Sequence, residues 1–229
     1  MKDLVGEALS SYYFDKKDYP LIVNNKYGEP EEMGMDIFFR DIDDLPDIED
    51  YTLQLSRGRI LDIGAGAGSH SLILQEKGML VTALEKSPKG CEVMKARGIK
   101  DIVNDDIFNF KKANYDTLIL LMNGIGLAGT LLGFRKLLSV LKQLINPNGQ
   151  VIFDSSDILY LYQDIQIPKK KYFGEIEYQY QYLNRCGEWF NWLYLDPGTL
   201  QKITSQEGWY CQIVYQDDLD HYLFRLVPD

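Results

Sequence analysis

The sequence predicts an α/β fold, a mostly parallel sheet with helices on both faces, and three observations carry that expectation. From residue 59 to residue 154, short apolar runs alternate with helical patterns, as strands buried on both faces and their crossover helices do. The first run, Arg59-Ile60-Leu61-Asp62-Ile63, enters a turn with glycine at every second position, Gly64, Gly66 and Gly68, and then a helix opening at about Ser69. A chain of 229 residues, 45% apolar and 25% charged, is long enough for one domain with a full core.

Taken in order, Leu4, Val5, Ala8, Leu9 and Tyr12 have the spacing of one helical face, so a first helix is expected over 3–15. A turn-rich stretch from Asn24 to Pro30 leads to the apolar and aromatic Met33–Arg40. An acidic run follows, with Asp41, Asp43, Asp44, Asp47, Glu49 and Asp50, and it reads as a solvated face and as helix N-terminal charge. Pro46 fits the first turn of a helix ending near Gly58. Residues 1–58 are therefore expected to form an N-terminal helical extension able to act as a lid, ahead of a main domain over 59–229.

Within that domain, strands are expected at 59–63, 79–84, near 101–103, at 116–122 and at 150–154. Helices are expected at 69–77, 88–97 and 130–145, stopped by Gly78, Gly98 and the turn Asn146-Pro147-Asn148-Gly149. The 18 residues from Thr117 to Phe134 lack a charge, but Asn123 and several glycines interrupt them, so they read as strand, loop and helix start rather than a membrane span. Tyr172, Ile176, Tyr178, Tyr180 and Tyr182 share one parity, as do Phe190, Trp192 and Tyr194 after Asn184-Arg185-Cys186-Gly187, predicting an inserted β-hairpin with an aromatic face at about 170–195. A helix over Pro197–Gln206 and strands near 209–216 and 221–227 complete the chain.

The net charge of −10 is concentrated at the N-terminus, where residues 1–57 hold 14 Asp and Glu against 6 Lys and Arg. An acidic chain repels a phosphate backbone, which argues against nucleic acid as substrate. Cys91, Cys186 and Cys211 are widely spaced and form no CxxC, so no disulfide framework and no metal site are expected. The first residues lack the apolar core of a secretory signal, which points to the cytoplasm.

The glycine turn carries the chemistry. A helix N-terminus and a backbone free of side chains suit a close-bound nucleotide-like ligand. Such a ligand needs an acceptor for its ribose hydroxyls, and Glu85, at the end of the second strand and 21 residues after Gly64, supplies one. The dinucleotide spacing GxGxxG fails, because Ser69 stands where its third glycine belongs. Asp62, two residues before the first glycine, is placed instead to meet a cationic head such as an amino group.

Asp62-Ile63-Gly64-Ala65-Gly66-Ala67-Gly68 together with Glu85 resembles motif I and the acidic end of strand two in class I S-adenosylmethionine-dependent methyltransferases. Asn104-Asp105-Asp106-Ile107, Tyr115-Asp116 through Asn123, and Asn146–Gln150 resemble that family's later motifs, so the core resemblance covers roughly 55–155. Phe38-Phe39-Arg40, Leu121–Gly129 and Asp154–Asp157 look like a bacterial subgroup of methyltransferases to which the resemblance attaches no substrate. The resemblance implies a Rossmann-like, seven-stranded sheet and S-adenosylmethionine as cofactor, with S-adenosylhomocysteine as its product form. It implies that Gly64, Gly66 and Gly68 lie under the methionine and sugar, Glu85 on the ribose, Asp106 on the adenine amino group, Ile107 on the adenine face, and Asn123 toward the methionine end or the acceptor.

Methyl transfer needs a base only where the acceptor must lose a proton early. Asp154, ending strand five, and His70, in the first helical turn, are the candidates, with Asp157 behind them; capping and local hydrogen bonding are the competing roles. The leading expectation is methyl transfer to a small molecule. A noncatalytic protein that binds the same cofactor is the alternative, and a nicotinamide-dependent oxidoreductase is a further one that the Ser69 spacing disfavours.

Overall fold

A computed structural model describes residues 2–163 and 166–229. In chain order the elements are α1 (Leu4–Asp15), β1 (Leu21–Asn25), β2 (Glu31–Met33), α2 (Asp47–Leu55), β3 (Arg59–Ile63), α3 (Ser69–Glu76), β4 (Leu80–Glu85), α4 (Pro88–Ala96) and β5 (Ile102–Asn104). They continue with β6 (Tyr115–Leu120), α5 (Leu131–Leu144), β7 (Ile145–Ser156), β8 (Glu175–Tyr182), β9 (Arg185–Cys186), β10 (Phe190–Leu193), α6 (Pro197–Gln206), β11 (Trp209–Gln216) and β12 (His221–Pro228). Seven strands form one sheet in the order β11-β12-β7-β6-β3-β4-β5, with helices flanking it. The pairs β4–β5 and β6–β7 are parallel, whereas β12 runs antiparallel to both β7 and β11. The Rossmann-like sheet expected from the sequence is therefore present.

Local chemistry accounts for the helix ends. Asp3 caps α1 by accepting from the Gly6 N–H, Ser87 caps α4 just before Pro88, Thr130 caps α5 and Asp196 caps α6 just before Pro197. Along α5, Phe134, Leu137, Leu138, Leu141 and Leu144 are buried, the three-and-four spacing of a face turned to the core.

The chain divides into two compact units: Met1–Leu45, Asp62–Phe110 and Glu177–Phe190 make one, and Pro46–Leu61, Lys111–Ile176 and Asn191–Asp229 make the other. In the first unit α1 packs on α4, and Leu4, Ala8, Leu9, Leu21, Met35, Ala67, Val93 and Tyr182 share a core. In the second, the rings of Phe134, Phe153 and Phe224 follow one another at 6.4 and 5.6 Å between centroids.

Three features differ from the sequence reading. The N-terminal extension holds its helices but also β1 and β2, and β1 pairs antiparallel with β8, so the aromatic hairpin belongs to a second sheet of order β10-β8-β1-β2 with β9 on β8. Its first turn falls at Leu183-Asn184, closed by the pair Tyr182–Arg185 with Gln181–Cys186 next, and Leu183 is at φ +53°. Residues 146–149 do not end a helix in open loop: β7 begins at Ile145, paired with Tyr115, and the next pair is Thr117–Gln150, so the Asn-Pro-Asn-Gly turn bulges out of the strand.

Candidate active site

In the first unit the chain leaves β3 through Gly64, Gly66 and Gly68, at φ +75°, +59° and +83°. At two of these glycines a side chain would be crowded. A Cβ on Gly68 would stand 2.1 Å from Ile99 Cδ1, and one on Gly66 would meet the Phe38 ring at 3.3 Å. The N–H groups of Gly64 and Ala65 both donate to Leu84 O, at 2.8 and 3.2 Å, which ties the turn to the end of β4.

Glu85, the last residue of β4, reaches back to the same turn. Its Oε2 accepts from the Gly66 N–H at 2.9 Å and its Oε1 from the Ser87 N–H at 2.7 Å. An ionised carboxylate offers about four acceptor positions, and backbone N–H groups occupy at least two of those on Glu85. Burial pushes its carboxyl up from the ordinary value, and the N–H groups of Ser87, Gly66 and Lys86 act against that shift. Asp62 lies deeper, 2% exposed, and its Oδ2 accepts from Ser71 Oγ at 2.7 Å, joining the strand end to the first turn of α3. Burial raises the Asp62 carboxyl too, opposed first by the nearby His70 and then by Ser71.

Asp106 follows β5 on the same unit. Partial burial acts to raise its carboxyl, but the hydrogen bond from Lys86 Nζ at 2.8 Å, the N–H of Phe108 at 3.0 Å and the Lys86 charge outweigh burial and hold it below the usual carboxylate range. It is therefore an ionised acceptor at neutral pH. Ile107 beside it is 5% exposed.

The second unit holds a separate polar cluster. Met122 and Asn123, just beyond β6, both take positive φ, +57° and +53°, an uncommon conformation for residues with side chains. The Asn123 N–H donates to Asp154 Oδ2 at 2.7 Å, its Nδ2 donates to Leu193 O at 3.1 Å, and its Oδ1 accepts from Ser155 Oγ at 3.1 Å. Ser155 Oγ also accepts from the Leu195 N–H at 2.9 Å. Asp157 accepts from the Leu159 N–H at 2.9 Å and so caps the short turn that follows β7.

The predicted residues thus fall into two groups. Asp62, the three glycines, His70 and Glu85 gather around one turn, with Asp106 linked to that strand end through Lys86; Asn123 and Asp154 are bonded to each other in the other unit. Two residues at the turn escaped the sequence reading, Gly90 and Arg97, whereas Phe38 entered it only within the motif Phe38-Phe39-Arg40. Of the two, Gly90 left a trace, as a glycine inside a helix, where propensity disfavours it. A Cβ there would stand 3.0 Å from Gly66 O, so helix and turn meet without a side chain between them.

No protein-family model matches the chain, and no curated protein matches it. Among solved structures it is similar to an S-adenosylmethionine-dependent methyltransferase from Bacteroides fragilis in complex with S-adenosyl-L-homocysteine, at 35% identity and a TM-score of 0.91, covering 99% of this chain and 95% of that one. The chain belongs to the S-adenosylmethionine-dependent methyltransferases. Fold alone is shared with the CcbJ methyltransferase of Streptomyces caelestis, at 10% identity and TM-score 0.61 over 80% of this chain and 94% of that one. It is likewise shared with CalS10, an amino pentose methyltransferase of Micromonospora echinaspora, at 13% identity and TM-score 0.55 over 80% and 89%. S-adenosylmethionine is the cofactor of this methyltransferase. Among the described residues, no helix is long and apolar enough to cross a membrane.

Proposed function

We propose that this methyltransferase acts on a small-molecule acceptor and holds its cofactor at the glycine turn of the first unit. One observation carries the cofactor placement. The Gly66 amide, which a phosphate would require, is bonded to a carboxylate, and two carboxylates, Asp62 and Glu85, stand at the turn. Such a turn repels a phosphate and suits a cationic, phosphate-free nucleoside. When bound, S-adenosylmethionine supplies a methyl group already activated on a sulfonium, so the task of the protein is alignment.

In this reading Glu85 accepts both ribose hydroxyls, and Gly64, Gly66 and Gly68 keep side chains clear of the methionine and sugar. Asp62 faces the ammonium, Asp106 accepts from the adenine amino group and Ile107 contacts the adenine. Residues 1–58 serve as the lid, which the packing of Phe38 on Gly66 supports. Asp154, whose carboxylate accepts from the Asn123 N–H, is the candidate base, with His70 as the second candidate.

The net charge of −10 argues against nucleic acid, and three free cysteines suit the cytoplasm. The test is methyl transfer from labelled cofactor into a cell extract separated by size. Label in the low-molecular-mass fraction supports the reading, and label confined to protein or nucleic acid overturns it.

A further inference from the structure

One cation touches the glycine turn and has no place in the reading above. Arg97 follows the last residue of α4, where a basic side chain ordinarily faces solvent and complements the helix dipole. Here it reaches out of its own helix. Its Nη1 lies 2.7 Å from Ala67 O, 3.2 Å from Ser69 Oγ and 3.3 Å from Phe38 O, and Ser69 Oγ itself donates to Phe38 O at 2.8 Å. The guanidinium carbon stands 5.0 Å from the centroid of the Phe39 ring. One group therefore binds the glycine turn, the start of α3 and the N-terminal segment together.

Ala67 lies between two glycines at positive φ, so local sequence does little to fix the direction of its carbonyl. An external donor is needed to hold that peptide. We propose that Arg97 is a positioning residue for the cofactor turn: by holding the Ala67 and Phe38 carbonyls, it keeps the Gly66 amide on Glu85 and the Phe38 ring against Gly66. A lysine replaces it only in part, because a compact ammonium can reach a carbonyl but lacks the planar group that stacks on Phe39. Arg97 touches no reacting atom, and its role is exerted through the turn. This inference rests on the reading that the cofactor occupies that turn.

Calorimetric titration of the full chain with S-adenosylhomocysteine tests both, using Glu85→Ala, Arg97→Ala and Arg97→Lys. As a control for lost stability, Arg135→Ala removes an ion pair to Glu207 in the other unit. Arg97→Ala is expected to weaken binding by about tenfold or more, since small misplacements in a site have large effects. Arg97→Lys is expected to restore only part of it, and Arg135→Ala to bind as the unaltered chain does. Hydrogen exchange at the Gly66 amide should be faster in Arg97→Ala than in Arg135→Ala under conditions of equal stability, an effect that general loosening does not produce. Wild-type affinity in Arg97→Ala alongside lost binding in Glu85→Ala overturns the role of Arg97. Wild-type affinity in Glu85→Ala instead overturns the placement of the cofactor. If Arg97→Ala does not fold, Arg97→Lys decides alone, and full affinity in that variant overturns the proposal.

Discussion

Glu85 is under opposing demands. Burial raises its pKa, so the folded protein favours the protonated form relative to the unfolded chain. The sign follows: the proton-linked stability is present below the unfolded pKa and is lost as pH rises through the raised folded value, so keeping Glu85 ionised at neutral pH costs stability. In the proposed reading ligand binding runs the other way, because there the ionised carboxylate is the form that accepts the ribose diol. Affinity for S-adenosylhomocysteine is therefore predicted to fall as pH drops through the raised Glu85 value, above the range of an ordinary glutamate. Calorimetry across that range checks it; a midpoint at or below the ordinary 4.5 contradicts it. Hydrogen bonds to a charged group are worth about 1.5–3 kcal/mol, so Glu85→Ala should weaken binding by roughly tenfold to a hundredfold. Gly68 gives a steric counterpart. Gly68→Ala forces a side chain to φ +83° and drives Cβ to 2.1 Å from Ile99 Cδ1. The left-handed conformation costs about 1–2 kcal/mol and overpacking about 1–3, so denaturant titration should show a loss of about 2–5 kcal/mol.

At the scale of elements, the ends of strands were readable and the partners of strands were not. The strand, turn and helix around Gly64 announce themselves through adjacent residues, and Glu85 follows from spacing along one βαβ unit. β1 and β2 escaped because Leu21–Asn25 is five residues long and Glu31–Met33 is short and acidic, and neither shows a clean alternation. Their pairing with β8 joins Ile22 to Gln181 and Val23 to Tyr180, and no local pattern encodes a partner so distant. Arg97 was unreadable for a related reason: its acceptors include backbone carbonyls 30 and 59 residues earlier, and a carbonyl has no residue signature. The Asn123 cluster was half legible, as polar residues ending β6 and β7, but its cross-link to the segment after β10 required the fold. Ser155→Ala tests that link. It removes the donor to Asn123 Oδ1 and strands the N–H of the buried Leu195. An unsatisfied buried donor costs about 1–3 kcal/mol, so the urea midpoint should fall by a corresponding amount at unchanged slope. An unchanged midpoint would mean that the hydroxyl holds nothing together.

For the whole molecule, the proposed placement couples cofactor binding to folding through the first unit, because the glycine turn is built from the ends of β3 and β4 and from the start of α3. A ligand that binds only the native state stabilises it by RT ln(1 + [L]/Kd), about 2.7 kcal/mol at a hundredfold excess over Kd. A chain of this size shifts by roughly 2–4 °C per kcal/mol. S-adenosylhomocysteine at that excess is therefore expected to raise the melting temperature by about 5–11 °C. NADH at the same concentration should leave it unchanged, since the Gly66 amide that a phosphate would need is held by the Glu85 carboxylate. The shift should shrink in Glu85→Ala and, for the unaltered chain, as pH falls through the raised Glu85 value, the same dependence that calorimetry reads at the residue. A shift equally large with NADH would locate a phosphate site in the fold and overturn the reading of the glycine turn as one made for a cofactor without phosphate.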